Sequence, residues 1–237
     1  RQGGTDDMWQ EGNTDPDIRE VQVQVGDVVL GGSLGIPDGA RGLVIFAHGS
    51  GSSRFSPRNR AVARALRAQG LATLLFDLLS EVEEVKDART GELRFDIPFL
   101  ARRLAAVTEW AQRQPALAVL RMGYFGSSTG AAAALVAAAL HPDLIHAVVS
   151  RGGRPDLAGP VLPRVQAPTL LLVGGQDVGV LELNEASLAR MEGLKGIHII
   201  PGATHLFEEP GALEQVARQA AAWFLRFLGG VGAEARA

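Results

Sequence analysis

Three residues of this chain have the types and the order needed for acyl transfer: Ser128, Asp177 and His205. Ser128 is the centre of a Gly-Ser-Ser-Thr-Gly run at 126–130, between an apolar run at 119–125 and an Ala-rich run at 131–140. Gly-x-Ser-x-Gly between a strand and a helix makes a turn so sharp that the central serine is strained and its hydroxyl stands clear of the sheet. A side chain at Gly126 or Gly130 would collide with the adjoining strand and helix. The helix behind the turn offers unpaired N–H groups and a partial positive charge to any anion forming at Ser128. The pentapeptide alone also fits a loop without chemistry, so its meaning depends on the rest of the chain.

A serine hydroxyl needs a base within hydrogen-bond reach and a third group to orient that base. The chain has five histidines. His141 and His146 fall beside a helix end and a strand start, and His198 falls inside a strand. His48 and His205 follow strands at the edge where such a site forms. His205 is the expected base, because it comes after both Ser128 and Asp177, and the order Ser, Asp, His is one that a Ser-His-Asp site takes. Asp177 ends a strand beside Gly174-Gly175 and is the expected orienting acid, accepting from His205 Nδ1. Asp77, Glu182 and Asp156 are the competing carboxylates. A helix-cap role for Asp177 fits poorly if the next helix starts at Leu181.

A tetrahedral intermediate needs N–H donors for its oxyanion. Thr129, the residue after the serine, is expected to supply one and Ser50 the other. Ser50 lies in His48-Gly49-Ser50-Gly51, where Gly49 permits a tight path and His48 is expected to orient the loop. A phosphate-cradling glycine loop is set aside, since the Lys-Ser/Thr ending of such loops is missing. Arg54 and Arg151 are candidate substrate contacts that would favour an acidic acyl or alcohol group. Arg154 is a further cation nearby in sequence.

These residues need a scaffold that brings several strand ends together. Two alternating segments, 19–25 and 28–36, separated by Gly26-Asp27, predict an antiparallel hairpin. A continuous apolar run at 42–47 predicts a strand buried on both faces, 71–76 predicts the next buried strand, and 119–125, 145–150, 169–173 and 196–200 predict further strands. Helical spacing predicts helices at 57–69, 96–114, 131–140, 181–191 and 210–228. Residues 78–92 are acidic and turn-rich, and are expected to form an irregular surface excursion. Residues 155–167, with three prolines, are expected to be a short connection rather than a lid. Alternating strands and helices after a hairpin predict an α/β fold: a mostly parallel, doubly wound sheet with an N-terminal antiparallel hairpin and a minimal lid. Ligands bind such sheets at the carboxyl ends of the strands. The expected organisation is a flexible arm at 1–17, a single domain at 18–229 and a tail at 230–237.

Composition narrows the classes. The 237 residues are 46% hydrophobic and 21% charged, enough for one domain with a full core. A net charge of -3 carries no nucleic-acid or polybasic membrane footprint. The absence of cysteine excludes disulfides and thiolate chemistry. No apolar run approaches the ~20 residues of a membrane span. No secretory signal is visible, and a cytoplasmic location is expected, although a chain that begins at Arg1 leaves room for a leader or domain before it.

Taken together, the His48-Gly49-Ser50-Gly51 loop, the turn around Ser128, Gly175-Gln176-Asp177 and Gly202-Ala203-Thr204-His205 resemble an α/β-hydrolase. The similarity is to the compact dienelactone-hydrolase-like branch, over about 19–228, with serine as nucleophile. Classical members of that branch use cysteine, so their lactone specificity does not carry over. The segment 53–60, Ser-Arg-Phe-Ser-Pro-Arg-Asn-Arg, is also similar to a hydrolase subgroup sometimes joined to phosphoribosyltransferase domains. The resemblance implies a serine hydrolase without metal or cofactor, acting on small-molecule esters through an acyl-enzyme. Acyl transfer, perhydrolysis or lactone hydrolysis would use the same residues. A hydrolase-like binding module without catalysis is the alternative of another class.

Overall fold

Valine alternation at the start of the chain builds the hairpin. β1 (Ile18–Val25) runs antiparallel to β2 (Val28–Gly35), with Val23 opposite Leu30 and both fully buried. Gly26 makes the turn at φ +54°, a conformation that glycine adopts without strain. The computed structural model describes residues 17–230. The expected arm, apart from Asp17, and the expected tail, apart from Gly230, lie outside the described residues.

Six further strands complete one eight-stranded sheet: β3 (Leu43–Ala47), β4 (Ala72–Phe76), β5 (Met122–Ser127), β6 (Ile145–Arg151), β7 (Thr169–Gly174) and β8 (Lys195–Ile200). Their order is β1-β2-β4-β3-β5-β6-β7-β8, with β2 antiparallel to β4 and the later pairs parallel. Every residue of β3, β4, β5 and β7 is buried, which explains their unbroken apolar runs. The fold is therefore the mostly parallel α/β sheet with an N-terminal antiparallel hairpin that the element pattern predicts.

The helices are α1 (Pro57–Ala68), α2 (Glu81–Thr90), α3 (Ile97–Gln112), α4 (Pro115–Ala118), α5 (Thr129–Leu140), α6 (Val178–Arg190) and α7 (Ala212–Leu228). α1 and α7 share one apolar core with the sheet, through Val62, Leu66, Val216 and Phe224. α3 and α5 lie in the other, through Leu100, Leu104, Ala133 and Leu135. Ala131 to Ala134 are fully buried, so this helix packs closely on all sides because its side chains are small. The proline-rich segment Pro155–Arg164 forms 3-10 turns broken at Gly159 (φ +56°) and packs on α5.

Three expectations are corrected. Residues 78–92 are not irregular: they hold α2. Its start is fixed by a capping box in which Ser80 Oγ accepts from Glu83 N–H and Glu83 returns a bond to Ser80 N–H, and Gly91 ends it at φ +64°. The strand leading to Ser128 starts at Met122 rather than 119, because Pro115 opens the single turn of α4 and leaves Val119 84% exposed. α6 starts at Val178, immediately after Asp177, rather than near Leu181.

The order of strands positions the site. From β3 the chain crosses to β4 on one side and later returns to β5 on the other. The crevice at such a reversal is where open α/β sheets bind ligands. Ala47 and Gly126, at the carboxyl ends of β3 and β5, are register partners. The loop after β3 and the turn after β5 therefore meet.

Candidate active site

The turn after β5 has the strain its sequence demands. Ser128 sits at φ 51°, ψ -123°, a region that side-chain-bearing residues rarely enter. A Cβ at Gly126 would run into Ala131 Cα, and one at Gly130 would run into the Ala47 and His48 carbonyls. Gly130 thus lets the start of α5 abut the loop after β3. A Cβ at Gly49 would lie 3.2 Å from Ser128 Cβ, so the same close approach holds from the other side.

His205 follows β8 and Asp177 follows β7. His205 Nδ1 and Asp177 Oδ2 are 2.6 Å apart. An ionised carboxylate is acceptor-only, so Nδ1 carries the proton and Nε2 is left with a lone pair. Asp177 does occupy the position that caps α6, yet its carboxylate makes no capping bond and turns to the histidine instead. Gly174 is needed because a Cβ there would run into the Ala203 carbonyl. Phe207, two residues past His205, is 2% exposed at φ 55°, so a buried ring anchors a strained turn beneath the histidine.

Two of the three competing carboxylates, Asp77 and Asp156, are engaged elsewhere. Asp77 accepts from the Arg54 amide at 2.8 Å and pairs with the Arg54 guanidinium. Asp156 forms a two-bond pair with Arg154 at 2.7 and 2.8 Å. This bond to Asp156 raises Arg154 above the ordinary arginine value, outweighing the smaller effect of burial.

The loop after β3 is held by a closed set of bonds. Ser50 N–H donates to Thr129 Oγ1 at 3.0 Å, and the two hydroxyls are 2.8 Å apart. Ser50 Oγ donates to the Arg94 carbonyl at 2.9 Å. The Thr129 amide, in the first turn of α5, has no acceptor within its helix. The Ser50 amide differs from the expectation in one respect: a hydroxyl already accepts from it, and it reaches a new oxygen only by sharing or exchanging that bond.

His48 uses both ring nitrogens. Nδ1 lies 2.8 Å from the Gly49 carbonyl, and Nε2 accepts from the Leu78 amide at 3.0 Å. Only the neutral Nδ1–H tautomer satisfies both. Burial pushes its pKa below 6.5, against smaller opposing effects of the Gly49 carbonyl and the Asp77 charge. A ring so committed has no nitrogen left to act as a base.

Ser128 and His205 line one cavity of about 170 Å³ with Ser50, Arg58, Asn59 and Arg151. Among the described residues no hydrogen bond joins Ser128 to His205; such contacts often tighten only when substrate binds. Arg151 lines this cavity. Arg54 does not: Asp77 and Glu20 hold its guanidinium against the hairpin side, and it stacks over Phe55 at 4.1 Å. It is removed from the candidate contacts. Sequence reasoning gave no role to Arg58 or Asn59. Asn59 Oδ1 accepts from Ser127 Oγ at 2.9 Å and from Arg151 at 3.2 Å, tying α1 to the serine turn. An available signal was Ser-Pro at 56–57, which starts a helix and so aims 58 and 59 at whatever lies before it.

Comparison with known proteins gives the same picture. The family model for the dienelactone hydrolase family matches residues 30–229. A dienelactone hydrolase from Anabaena variabilis is 57% identical, superposes with a TM-score of 0.87, and the match covers 90% of this chain and 99% of that one. Est1E from Butyrivibrio proteoclasticus shares the fold at 18% identity, with a TM-score of 0.73 over 87% of this chain and 98% of that one. Mycobacterium tuberculosis proteins named "Putative phosphoribosyl transferase" are 57% identical over 220 residues, 92% of this chain. The chain spans about half the length of those relatives, 49%. On the match over residues 30–229 and the near-complete overlap with the Anabaena protein, this chain has the α/β-hydrolase fold and belongs to the dienelactone hydrolase family.

Proposed function

We propose that this chain is a serine hydrolase that cleaves carboxylic esters of small to medium substrates through an acyl-enzyme. The observation that carries the reading is the 2.6 Å bond between His205 Nδ1 and Asp177. It leaves Nε2 as the acceptor beside a cavity that Ser128 also lines. In this mechanism Ser128 Oγ attacks the ester carbonyl and His205 Nε2 takes its proton. Asp177 stabilises the imidazolium. The Thr129 amide receives the oxyanion at the start of α5, joined by Ser50 N–H once it turns from Thr129 Oγ1. His205 then protonates the departing alkoxide. It next takes a proton from water, which attacks the acyl-serine and releases the carboxylic acid.

The transferase name of the mycobacterial relatives describes proteins about twice as long as the matched segment, and phosphoribosyl transfer is not proposed for this chain. The name of the Anabaena protein supports ester-bond chemistry, since a lactone is a cyclic ester. The test is turnover of 4-nitrophenyl esters of graded acyl length. Ser128→Ala is expected to lose at least about 10³-fold in kcat while keeping its circular dichroism spectrum. Wild-type turnover in that variant would remove the assignment.

A further inference from the structure

The ester-hydrolase reading leaves two arginines of the cavity without a task. Arg151, at the end of β6, is 6% exposed, and Arg58, in the first turn of α1, has a side chain one-third exposed. Both line the cavity with Ser128 and His205. The Nε of each is buried and without a partner. Arg151 makes no ion pair among the described residues. Its polar contact is the neutral Asn59 amide oxygen at 3.2 Å, and the Phe207 ring lies 5.8 Å from its guanidinium. Burial, then the Arg58 charge, lowers its pKa to about 10, so it stays cationic at neutral pH. The acidic neighbour of Arg58 is Glu208, at 3.4 Å and itself 67% exposed, where water screens the pair.

A buried cation without an anion is costly, and a second cation beside it adds to the cost. Such an arrangement persists where an anion is meant to enter. The backbone adds to the field. α1 has 12 residues and no acidic residue in its first turn, and its first-turn residues Arg58 and Asn59 line the same cavity as its cap Ser56. Pro57 carries no N–H and Ser56 Oγ accepts from the Asn59 amide at 3.3 Å. The start of α1 therefore contributes its dipole and the two guanidiniums contribute the donors, which together favour a tetrahedral oxyanion with several acceptor oxygens over a single carboxylate.

We propose that Arg58, Arg151 and the start of α1 form a phosphate-binding subsite, so that the substrate is a carboxylic ester that also carries a phosphate group. This rests on the ester-hydrolase reading for the reacting bond. The phosphate is a handle and stays intact. Ser128 takes the acyl group from the C–O ester bond, the alcohol leaves with the proton from His205, and water returns the acyl group as a carboxylic acid.

The experiment has two arms. In the first, inorganic phosphate is titrated into the Ser128→Ala protein by calorimetry, with and without added Arg58→Met or Arg151→Met. Binding is expected, weakened on the order of ten- to hundredfold by each arginine change, as for a lost charge-assisted bond. In the second, 4-nitrophenyl esters matched in length and ending in a phosphonate, a carboxylate or a methyl group are compared. The phosphonate ester is expected to exceed the methyl ester in kcat/KM on the order of ten- to hundredfold, with the ratio falling toward one in each arginine variant. Should Arg151→Met fail to fold, the more exposed Arg58→Met and the charge-keeping Arg151→Lys carry both arms. The proposal is overturned if wild-type and Ser128→Ala proteins do not bind phosphate, if the carboxylate ester gains as much as the phosphonate ester, or if the preference survives both arginine changes. Phosphate binding that depends on the arginines, in a protein that turns over none of the esters, would instead remove the hydrolase reading and keep the subsite.

Discussion

At the scale of residues, the 2.6 Å bond between His205 and Asp177 supports Asp177 as the carboxylate that orients the proposed base. Asp77 and Asp177 both end strands, and one-dimensional order favours Asp177 without excluding the other. The structure separates them by partner: Asp77 is bound by Arg54, and Asp177 by His205. Asp177→Asn is therefore expected to lower kcat about 10²–10⁴-fold by destabilising the imidazolium and the productive tautomer. Asp77→Asn is expected to act on the hairpin contact and leave kcat within about threefold, since exposed or partly exposed ion pairs contribute little. Steady-state kinetics on both variants checks this, and a reversed pattern would show that the acid is Asp77. The candidate residues were legible because each ends a strand run beside glycines. Arg54, Arg58, Asn59 and Arg151 were not separable in the same way. Which of these meets Asp77 and which meets the cavity depends on how α1 packs across the ends of β4, β5 and β6, and nothing in the local sequence records that.

Elements show the same division between local and long-range information. The buried strands and the amphipathic helices α1, α3 and α7 follow from apolar spacing alone. α2 was missed although its start is written in Ser80-Glu81-Val82-Glu83, a Ser-x-x-Glu capping box, because its acidic composition and exposed Val82 and Val85 mask any apolar face. The start of α6 was placed late because Asp177 has two roles available, and only the folded chain shows that its carboxylate serves His205 rather than the helix.

α2 also braces the site. Arg103 of α3 holds Glu83 through two bonds at 2.7 and 2.8 Å, and these bonds keep the Glu83 carboxyl below 4.5 despite partial burial. Burial raises Asp87, but the amides of Leu93 and Arg94 and the Arg94 guanidinium outweigh it and hold it below 3.8. Asp87 so fixes Arg94, whose carbonyl accepts from Ser50. Ser80→Ala removes the cap and is expected to cost α2 about 1 kcal/mol. Amide hydrogen exchange within α2 should then rise roughly fivefold. Unchanged exchange there would show that α3 alone fixes the helix.

At the scale of the whole molecule, the sheet reversal at β3 and β5 gathers loops from four strands at one edge, and two of its consequences are measurable. The first is acid sensitivity. His48 is buried and neutral, with its folded pKa below 6.5. As pH falls through 6.5, the unfolded chain takes up a proton that the folded chain refuses, so stability is full above that value and declines below it. The depressed carboxyls of Glu83 and Asp87 add their losses only lower, as pH falls past 4.5 and 3.8. Urea midpoints between pH 7.5 and 5 are expected to drop in the wild type and to drop less in His48→Gln, whose own midpoint at pH 7.5 is lower because the Gly49 and Leu78 bonds are perturbed. An equal pH slope in both would assign the decline to other groups.

The second consequence is the reactivity of a single serine, on which the proposed chemistry depends. A fluorophosphonate is attacked only by an activated hydroxyl. Intact mass and peptide mapping after brief exposure are expected to find one adduct, on Ser128, formed far more slowly in Asp177→Asn and absent in Ser128→Ala. No adduct on the folded wild-type protein, or an adduct that persists in Ser128→Ala, would contradict the account.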